Sequence, residues 1–528
     1  MSAVETAPSY VSRVPARTGF PQLLHAEWTK FRTVRAWVTT TLVATLVLIG
    51  LSWFAANGSH AGFCSGPPPG SCHGEPPLPV GPDGEAVVDT YFFVHQPLTG
   101  DGSITARVTA LTGRISTEGN AVRAGTNPFT ESRPGLAEWA KAGLLLRPSL
   151  RTGSQYAAVL ATGSHGVRMQ SDYVHDTAGL AGAVSATSPR WLRLTRVGDV
   201  ITGADSADGV HWTTVTTARL HDLPSTVQVG LFVTSPAQPR GFAADGEPTY
   251  ATGHFDNVAV SAAGASGSAW VGGDLGGGPS YRTFARGSFQ QAAGGFTVSG
   301  SGDIAPAVRG AGAGGQPAAA GLVGAFAALI VVAVLGALFM TSEYRRGLLR
   351  TTFAATPRRG RVLAAKALVL GAVTFVGGVV GAVIATAVSR RVLLANGNAL
   401  FPMSGLTEAR VAIGLGAVVA VTAVLALAVA AITRRSTDAV VAVIVTTVVP
   451  YILSMTLSGS VGTWLLRLTP AAGFAVEESL TRYHQVANSY SAVNGYYPLS
   501  PLAGFAVLCA WTLLALVVAR RLLRRRDA

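Results

Sequence analysis

The residue types that most often carry catalysis are present in this chain, but their spacing assembles no catalytic motif. An H-E-x-x-H segment would indicate a zinc peptidase and a serine in a G-x-S-x-G turn a hydrolase, and neither occurs. The G-x-x-x-x-G-K-[ST] loop that binds the phosphates of ATP is also absent. Histidines of the polar segments are isolated from one another, among them His25, His95, His165, His175, His211 and His221. We therefore expect that this chain is not an enzyme and does not itself hydrolyse ATP.

Two cysteines, Cys64 and Cys72, lie close together in a Pro/Gly-rich stretch that follows the first long apolar run. Outside the cytoplasm such a pair can form a disulfide, and no metal-type ligands accompany it. The sequence leaves a bridge and two free thiols equally open. The third cysteine, Cys509, lies inside an apolar run and is interpreted as a small apolar residue.

Trp191, Trp212 and Asp208 are the candidates for ligand contacts in the polar middle of the chain. Indole rings can stack on sugars, but an aromatic side chain on a strand more often packs in a core, and we favour the core here. Asp208, with Asp172 and Asp205, could in principle bind Ca²⁺. No spaced acidic loop accompanies these residues, so turn-forming roles are the better interpretation, and no metal site is expected.

The composition indicates a membrane protein. Of the 528 residues 49% are hydrophobic and 13% charged, and the mean hydropathy is +0.38, whereas a soluble domain carries about 25% charged residues. The net charge of +13 raises the question of nucleic-acid binding. Nucleic-acid binders cluster Lys and Arg on one folded face, but here the basic residues flank long apolar runs, as they do in membrane proteins. The expected partner is therefore membrane lipid and not nucleic acid.

Six apolar stretches are long enough to cross a bilayer, which takes about 20 helical residues. The predicted spans are residues 37–56, 319–341, 363–388, 411–432, 438–457 and 502–519. The first span is longer than the apolar core of a signal peptide, so we expect it to be retained. Lys366, the one charged residue in the span interiors, is expected to reach the lipid headgroups from its position near a helix start. Pro450 is expected to kink the fifth span.

Lys and Arg residues near the ends of the spans predict their orientation. Nineteen lie in the N-terminal flank and in the segments after the second, fourth and sixth spans, against five in the short segments of the other side. Both termini are therefore predicted to be cytoplasmic, and residues 57–318 are predicted to be extracytoplasmic.

Short alternating stretches separated by turns replace the long apolar runs between residues 88 and 260. Alternation of apolar and polar residues is typical of half-buried strands, and a pair such as Asp208-Gly209 is a strong hairpin signal. Many short strands with regular turns favour a β-sandwich. The predicted strands are residues 103–111, 142–146, 156–161, 191–197, 212–217, 227–234 and 254–260.

The order of these strands resembles the concanavalin-like, laminin-G-like sandwiches of jelly-roll type. The matching segments are KAGLLLRPSL at 141–150, PRWLRLTRVGDVITGADSADGVHW at 189–212, VQVGLFVTSP at 227–236 and TGHFDNVAV at 252–260. This resemblance covers about a third of the chain and implies a domain that binds glycan or serves as a scaffold. The expected fold class is an α-helical polytopic membrane domain of six transmembrane helices with an inserted all-β sandwich.

Charged segments around the first two spans carry a second resemblance. Residues 27–33 read EWTKFRT, residues 343–347 after the second span read EYRRG, and TPRRGR at 356–361 precedes Lys366. In this order they resemble the ABC-2 type permeases, particularly those common in high-GC Gram-positive bacteria. The resemblance covers the first 56 residues and everything after about residue 320. The insert between them is a departure, because many members lack it.

This resemblance implies an exporter subunit in which an interfacial N-terminal helix and the first cytoplasmic loop contact a separate ATPase. That ATPase would bind ATP and Mg²⁺, this chain would hold no cofactor, and a homodimer or a pair with a related permease would form the pore. The residues implied at the contact are Glu27, Lys30, Arg32, Glu343, Tyr344, Arg345, Arg346, Pro357, Arg358, Arg359 and Arg361.

The remaining predicted segments follow from these assignments. Residues 1–36 form the cytoplasmic N-terminus with its interfacial helix, 57–87 a Pro/Gly-rich linker, 88–260 the sandwich, 261–318 a flexible Gly/Ala-rich stalk, 342–362 the coupling loop, 458–501 an outer loop and 520–528 a basic cytoplasmic tail. One piece of the stalk, residues 296–302, is strand-like and could contribute an edge strand. The ABC-2 resemblance favours a re-entrant hairpin in the outer loop over a plain loop.

Two functions of different classes remain open on the sequence alone. One is an ATP-driven export permease whose outer domain contacts substrate, envelope or a partner. The other is a receptor without transport, a glycan- or peptide-sensing sandwich on a helical anchor. One helix would suffice to anchor a receptor, so six helices with an organised loop favour the permease. No buried charge marks a pocket for an ionic solute, which favours a lipidic or amphipathic substrate.

Overall fold

A bundle of apolar helices and a β-sandwich inserted after its second helix make up the chain. The structure is a computed structural model that describes residues 19–61, 63–64, 72–73, 77–117, 131–238, 246–262, 269–276, 286–292, 294–310, 315–345, 358–457, 460–488 and 490–525. Its helices are α1 (Phe20–Thr33), α2 (Arg35–Gly58), α3 (Gly324–Arg345), α4 (Arg359–Ala395), α5 (Gly405–Thr433), α6 (Ser436–Thr447), α7 (Val449–Thr456), α8 (Ser460–Leu468) and α9 (Pro501–Arg525), with 3₁₀ helices at Ala318–Leu322, Pro470–Glu477 and Ala492–Asn494.

Six helical stretches are long and apolar enough to cross a membrane, as the sequence predicts. They are Arg35–Gly58, Ala319–Tyr344, Arg359–Ala395, Gly405–Thr433, Ser436–Thr456 and Pro501–Arg525. The fifth is interrupted at Val448, where α6 ends and α7 begins. Pro450 lies in the first turn of α7 and has no backbone N–H to continue the helical ladder, which accounts for an interruption at the place where the kink was predicted.

Helix α5 lies at the centre of the bundle. In its most apolar 18-residue stretch, 72% of the residues are buried within the chain. The corresponding share is only 22% in α2 and in α9, which lie at the periphery. Small residues let the helices approach closely, because a glycine leaves backbone atoms exposed to van der Waals contact. Gly378 of α4 faces Gly416 of α5 in this way. The Gly377 and Gly381 pair of α4 packs against Thr45 of α2, so that face is used inside the chain.

Alanine at Gly416 should destabilise the bundle, because the added Cβ would lie 2.4 Å from Val379 Cγ2 and 2.9 Å from Val379 N. Overpacking of this kind costs about 1–3 kcal/mol. The matched control is Gly50→Ala on α2, where nothing lies within 4 Å of the added Cβ. Thermal denaturation in detergent should give a lower midpoint for G416A and an unchanged or higher midpoint for G50A. Equal midpoints for the two variants would contradict the α4–α5 packing.

The inserted domain consists of antiparallel strands. They are β1 (Phe63–Cys64), β2 (Cys72–His73), β3 (Val87–Thr99), β4 (Gly102–Ser116), β5 (Ser132–Pro134), β6 (Lys141–Arg147), β7 (Ala157–Thr162), β8 (Val167–Ser171), β9 (His175–Ala178), β10 (Arg190–Val197), β11 (Val200–Ser206), β12 (Thr213–Arg219), β13 (Thr226–Thr234), β14 (Thr249–Ala262), β15 (Val271–Leu275), β16 (Ser288–Ala292), β17 (Gly295–Gly300) and β18 (Asp303–Pro306).

Two eight-stranded sheets pack face to face. One has the order β12-β11-β10-β4-β14-β17-β16, with β5 beside β4, and the other has the order β15-β3-β13-β6-β7-β8-β9, with β18 beside β3. Alternate residues such as Leu192 and Leu194 of β10 point into the core between the sheets. Asp208-Gly209 lies in the connection between β11 and β12, which pair antiparallel, and Gly209 has the positive φ of 78° that turns favour.

The segment predicted as a flexible stalk is different in the structure. Within residues 261–318 the described part forms β15 to β18, which extend both sheets of the sandwich. Strands β15 and β18 pair with β3, a strand that the sequence analysis did not mark. Small residues supply little apolar alternation, so β15, β16 and β18 depend on neighbouring strands for their hydrogen bonds. Strand β17 coincides with the strand-like piece predicted at residues 296–302. The sandwich therefore continues to residue 306.

The segment between α7 and α9 joins the sandwich to the bundle. Its 3₁₀ helix Pro470–Glu477 is buried against α5 and α9, and Trp511 of α9 donates a hydrogen bond to Leu468 O at 2.9 Å. Further along, His484 Nε2 lies 2.9 Å from Asp176 Oδ2 of β9, and Asn488 donates to Arg309 O at 2.8 Å. We refer to residues 478–500 as the outer segment. It holds the sandwich against one end of the helices.

Candidate functional site

Four charged side chains meet at the end of the bundle farthest from the sandwich. Lys366 Nζ lies 2.9 Å from Glu27 Oε2 and 2.6 Å from Glu343 Oε1. Lys30 Nζ lies 2.9 Å from Glu27 Oε1 and 3.3 Å from Glu343 Oε1. Each ammonium group therefore contacts both carboxylates, and the four formal charges sum to zero. We call these four residues the charge cluster.

Three helices bring the charge cluster together. Glu27 and Lys30 are one turn apart on α1, Glu343 lies in the last turn of α3, and Lys366 lies in the second turn of α4. Val34 has an extended backbone between α1 and α2, which lets α1 turn away from the second helix and lie across the ends of the others. The cluster thus joins the N-terminal helix to both helices that flank residues 346–357.

Aromatic rings cover the cluster on the bundle side. Phe31, Trp37 and Phe339 pack edge-to-face or tilted, with ring centroids 4.8–6.2 Å apart. Lys366 Nζ lies 4.7 Å from the centroid of the Phe339 ring, a cation–π contact that is strongest where water is excluded. Lys366 and Glu27 are fully buried, Glu343 is 4% exposed and Lys30 is 38% exposed at the side chain. The cluster is therefore nearly dry, with Lys30 at its solvent side.

The burial of Lys366 corrects the expectation that this lysine reaches the lipid headgroups. Its ammonium group is turned inward because two carboxylates lie within hydrogen-bonding distance there. A buried ion loses several kcal/mol of hydration, which only close partners of opposite charge can offset. Burial alone would lower the pKa of Lys30, but hydrogen bonds and charge from Glu27 and Glu343 outweigh it, so that pKa is raised and Lys30 stays charged.

The other residues predicted at an ATPase contact surround the cluster without joining it. Arg32, Arg358 and Arg361 are exposed, and half-buried Arg359 donates to Leu523 O of α9 at 2.6 Å. Half-buried Tyr344 lies beneath the Arg434 guanidinium, 5.5 Å from the ring centroid. Arg345 is described by its backbone only, and Arg346 and Pro357 lie outside the described residues.

Trp191 and Trp212 do not lie in the sandwich core, contrary to the interpretation favoured from the sequence. Both are half-buried on the outer face of the first sheet, because Trp191 alternates with the core residues Leu192 and Leu194. The Arg193 guanidinium lies 3.8 Å from the centroid of the Trp212 ring. The two indole rings are therefore on the surface, one on β10 and the other immediately before β12.

Asp208 acts as a turn residue. Its carboxylate accepts hydrogen bonds from the backbone N–H groups of Val210 and His211 and from Ser206 Oγ, and His211 Nδ1 lies 2.7 Å away. The His211 ring and these N–H groups hold the pKa of Asp208 well below its usual range. Asp172 accepts a hydrogen bond from Tyr156 N and Asp205 accepts one from Leu180 N, so all three aspartates bind backbone N–H groups of nearby segments.

Cys64 and Cys72 are direct partners in the short β1–β2 ladder. Residues opposite each other in an antiparallel pair have Cα atoms about 4.5–5.5 Å apart, a separation that a disulfide can bridge. The register therefore favours the bridge over two free thiols.

We predict a Cys64–Cys72 disulfide in the protein purified from its native membrane, because the two residues are direct partners in the β1–β2 ladder. Alkylation in denaturant before reduction should modify only Cys509, a free thiol that serves as the internal control. Alkylation after reduction should modify all three cysteines. Peptide mass spectrometry measures both, and modification of Cys64 before reduction would rule the bridge out.

Comparison with known proteins identifies the family of this chain. Residues 169–528 match the profile of a family described as ABC-2 family transporter protein. This match covers more than half of the chain and includes α3 to α9. No curated protein matches it.

Likenesses to solved structures are weak. A functionally unknown protein from Saccharomyces cerevisiae has a TM-score of 0.22 and 15% identity, over 37% of this chain and 85% of that chain. Scytalido-glutamic peptidase with a transition state analog inhibitor has a TM-score of 0.26 and 9% identity, over 40% of this chain and 98% of that chain. At these TM-scores neither likeness bears on the fold or function of this chain.

Six membrane-length helices with an inserted β-sandwich define a polytopic membrane protein. The chain belongs to the ABC-2 family of transporter proteins. At the family level it is a membrane subunit of an ABC-type transporter, a class that relies on an ATPase in a partner chain.

Methionine at Lys366 should destabilise the bundle, because Glu27 and Glu343 would keep only Lys30 as a counter-charge. Removing one partner from a buried ion pair costs about 3–5 kcal/mol. Glu27→Gln in the same chain removes the excess negative charge, so the K366M/E27Q double variant should be more stable than the sum of the two single changes predicts. Denaturation midpoints in detergent measure this coupling.

The control is Arg361→Met, which removes a charge from an exposed position on the same helix. Surface changes of this kind alter stability by no more than about 0.5 kcal/mol. If K366M and R361M lower the midpoint equally, the charge cluster does not stabilise this end of the bundle.

Proposed function

We propose that this chain is the membrane subunit of an ATP-driven exporter and that residues 342–362, with α1, form its contact with a separate ATPase. The observation that supports this most directly is the charge cluster. Glu343 lies on α3 at the start of this segment, Lys366 lies on α4 just after its end, and Glu27 lies on α1. The ion pairs among them therefore fix these three helices to one another. A push on this surface would therefore move α3 and α4 together.

The proposed orientation has the charge cluster in the cytoplasm and the sandwich outside. The end of the bundle that carries the cluster is also rich in exposed arginines, including Arg32, Arg358 and Arg361. Arginine and lysine accumulate on the cytoplasmic side of membrane proteins. An even number of spans then leaves both termini on that side, where a cytoplasmic ATPase could reach them.

ATP and Mg²⁺ would be held by the partner subunit. The sequence has no G-x-x-x-x-G-K-[ST] loop, the element whose backbone N–H groups and lysine bind nucleotide phosphates. The permease would take part in the cycle by changing shape when its partner binds and hydrolyses ATP.

A second copy of this chain, or a related permease, would complete the transport path. Helices α2 and α9 are largely unburied within the chain and expose large apolar side chains, among them Leu46, Phe54, Leu502 and Leu513. Such faces contact lipid or another helix in a membrane. We assign one of them to the homodimer contact.

The sandwich, which we assign to the concanavalin-like jelly-roll type, would meet the cell envelope. Trp191 and Trp212 present half-buried rings on the outer face of the first sheet, where a glycan ring or a protein side chain could stack. Arg193 already covers Trp212, so a ligand there would have to displace or share that contact. Arg107 likewise lies 5.5 Å from the centroid of the Trp191 ring. These partly exposed rings are the observation that keeps a receptor function as the second candidate.

Affinity purification of the tagged chain from its native membrane in mild detergent, followed by mass spectrometry, tests the exporter. We expect a P-loop ATPase in roughly equal amount. Arg361→Glu should reduce the recovery of the ATPase at least about tenfold. A glutamate at this position would repel an acidic group of the ATPase that pairs with the arginine. Arg390→Glu is the matched control, since Arg390 is an exposed arginine about 44 Å away along the same helix.

Two results would contradict the proposal in different ways. Recovery of envelope glycan or protein without an ATPase would support the receptor. An ATPase that is recovered equally with wild type, R361E and R390E would leave the exporter in place and move its contact elsewhere on the chain.

A further inference from the structure

A cavity of about 360 Å³ lies where the sandwich meets the helices. It is lined by the ends of α2 and α4, the beginning of the second span, α7 and the outer segment, so it is at the end of the bundle opposite the charge cluster. Its volume lies within the range of small-molecule sites, about 300–1,000 Å³. The cavity could hold a lipid headgroup with its first few carbons, but not a whole lipid.

Arg309 is the basic residue of this cavity. It is half-buried, and no carboxylate of the described residues lies within ion-pair distance of its guanidinium. Burial lowers the pKa of Arg309, although an arginine remains charged at any physiological pH. A half-buried charge without a counter-charge is unfavourable, and a bound anion would relieve that cost.

Glu477 is the one acidic residue that lines the cavity, and it does not neutralise Arg309. It is only 9% exposed, and its Oε1 has no hydrogen-bond partner among the described residues. Burial raises the pKa of Glu477 to about 8, even though a hydrogen bond with Tyr497 acts in the opposite direction. At neutral pH this carboxyl is mostly protonated, so the cavity carries a net charge of about +1.

Most of the remaining lining is apolar, with uncharged polar side chains between the apolar ones. Its apolar wall includes Phe326 of α3, Leu393 of α4 and Met455 of α7, with alanines from α2 and from the start of the second span. Because the cavity borders the first residues of one span and the last residues of three others, it lies at the depth of lipid headgroups. One positive charge in an apolar wall at that depth fits an anion that has an apolar tail.

We propose that this cavity binds the headgroup end of an anionic phospholipid, with the Arg309 guanidinium paired to the lipid phosphate. The guanidinium presents a planar fork of donors that matches two phosphate oxygens. Protonated Glu477, Tyr497 and Ser479 supply uncharged hydrogen-bonding groups for the remainder of the headgroup. Binding at this cavity requires neither the ATPase nor export, so it can be measured on the purified chain alone.

The test is isothermal titration of the full-length chain in a non-ionic detergent at pH 7. The probes are dioctanoyl phosphatidylglycerol, dioctanoyl phosphatidylcholine of the same tail length, and inorganic phosphate. We expect the anionic lipid to bind at least about tenfold more tightly than the zwitterionic one. Phosphatidylglycerol has a net negative charge that neutralises Arg309, whereas phosphatidylcholine has no net charge. Inorganic phosphate should bind more weakly than the anionic lipid because it has no tail to fill the apolar wall.

Three variants identify the residues. Arg309→Gln should weaken binding of phosphatidylglycerol at least about tenfold, and Arg309→Lys should retain part of it. The main-chain carbonyl of Arg309 that accepts from Asn488 is kept in both, so the local fold should persist. Glu477→Gln should bind as wild type does at pH 7, because a neutral amide replaces a neutral acid. Arg391→Gln, which removes an exposed charge at the same end of the bundle, controls for general attraction of anions.

Unchanged affinity in R309Q, or an equal loss in R309Q and R391Q, would overturn the site. Equal affinity for the two lipids would overturn the choice of an anion. Inorganic phosphate that binds as tightly as phosphatidylglycerol would overturn the lipid assignment in favour of a free phosphate site.

Discussion

The ion pairs of the charge cluster hold one end of the helix bundle together. Its charged groups have given up contact with water and are stabilised by one another instead. Each carboxylate of the charge cluster faces two ammonium groups, so no member can leave without exposing at least two others to an apolar surrounding. The hydration that each ion gives up is several kcal/mol, and only the complete set offsets it. Helices α1, α3 and α4 therefore behave as one unit at this end. If they do separate, water has to enter as they do so.

Two of these helices also reach the other end of the bundle. The span that ends near Glu343 begins at the wall of the cavity, and α4 runs from Lys366 to Leu393 in the same wall. At 1.5 Å per residue, the distance along α4 between those two residues is about 40 Å. Because a helix is stiff along its axis, a shift at the charge cluster would reach the cavity with little loss. The close α4–α5 contact at Gly378 and Gly416 would make the central helix follow.

Some parts of this structure could be predicted from the sequence and others could not. The six spans could be predicted because charged side chains are almost absent from their interiors, and β10 could be predicted because Leu192 and Leu194 alternate with polar neighbours. The same alternation puts Trp191 on the outer face. The sequence analysis missed this signal because it relied on the general tendency of aromatic strand residues to pack in a core. Strand β15, with the sequence VGGDL, carries no such pattern and forms only against β3. The pairing of Glu27 with Lys366 joins residues 339 positions apart, and one sequence holds no record of that contact.

Nearly all basic residues of this chain are arginines, and its few lysines are used in ion pairs. The chain contains three lysines, at positions 30, 141 and 366, and all three are in ion pairs. Lys141 and Lys366 have fully buried side chains. Of its lysine side chains, the folded protein thus exposes only Lys30 in part, although the chain is strongly basic. Amine-directed reagents and lysine-specific proteases should therefore find little to act on in the closed structure. A gain of reactivity at Lys366 would report directly that this end of the bundle has opened.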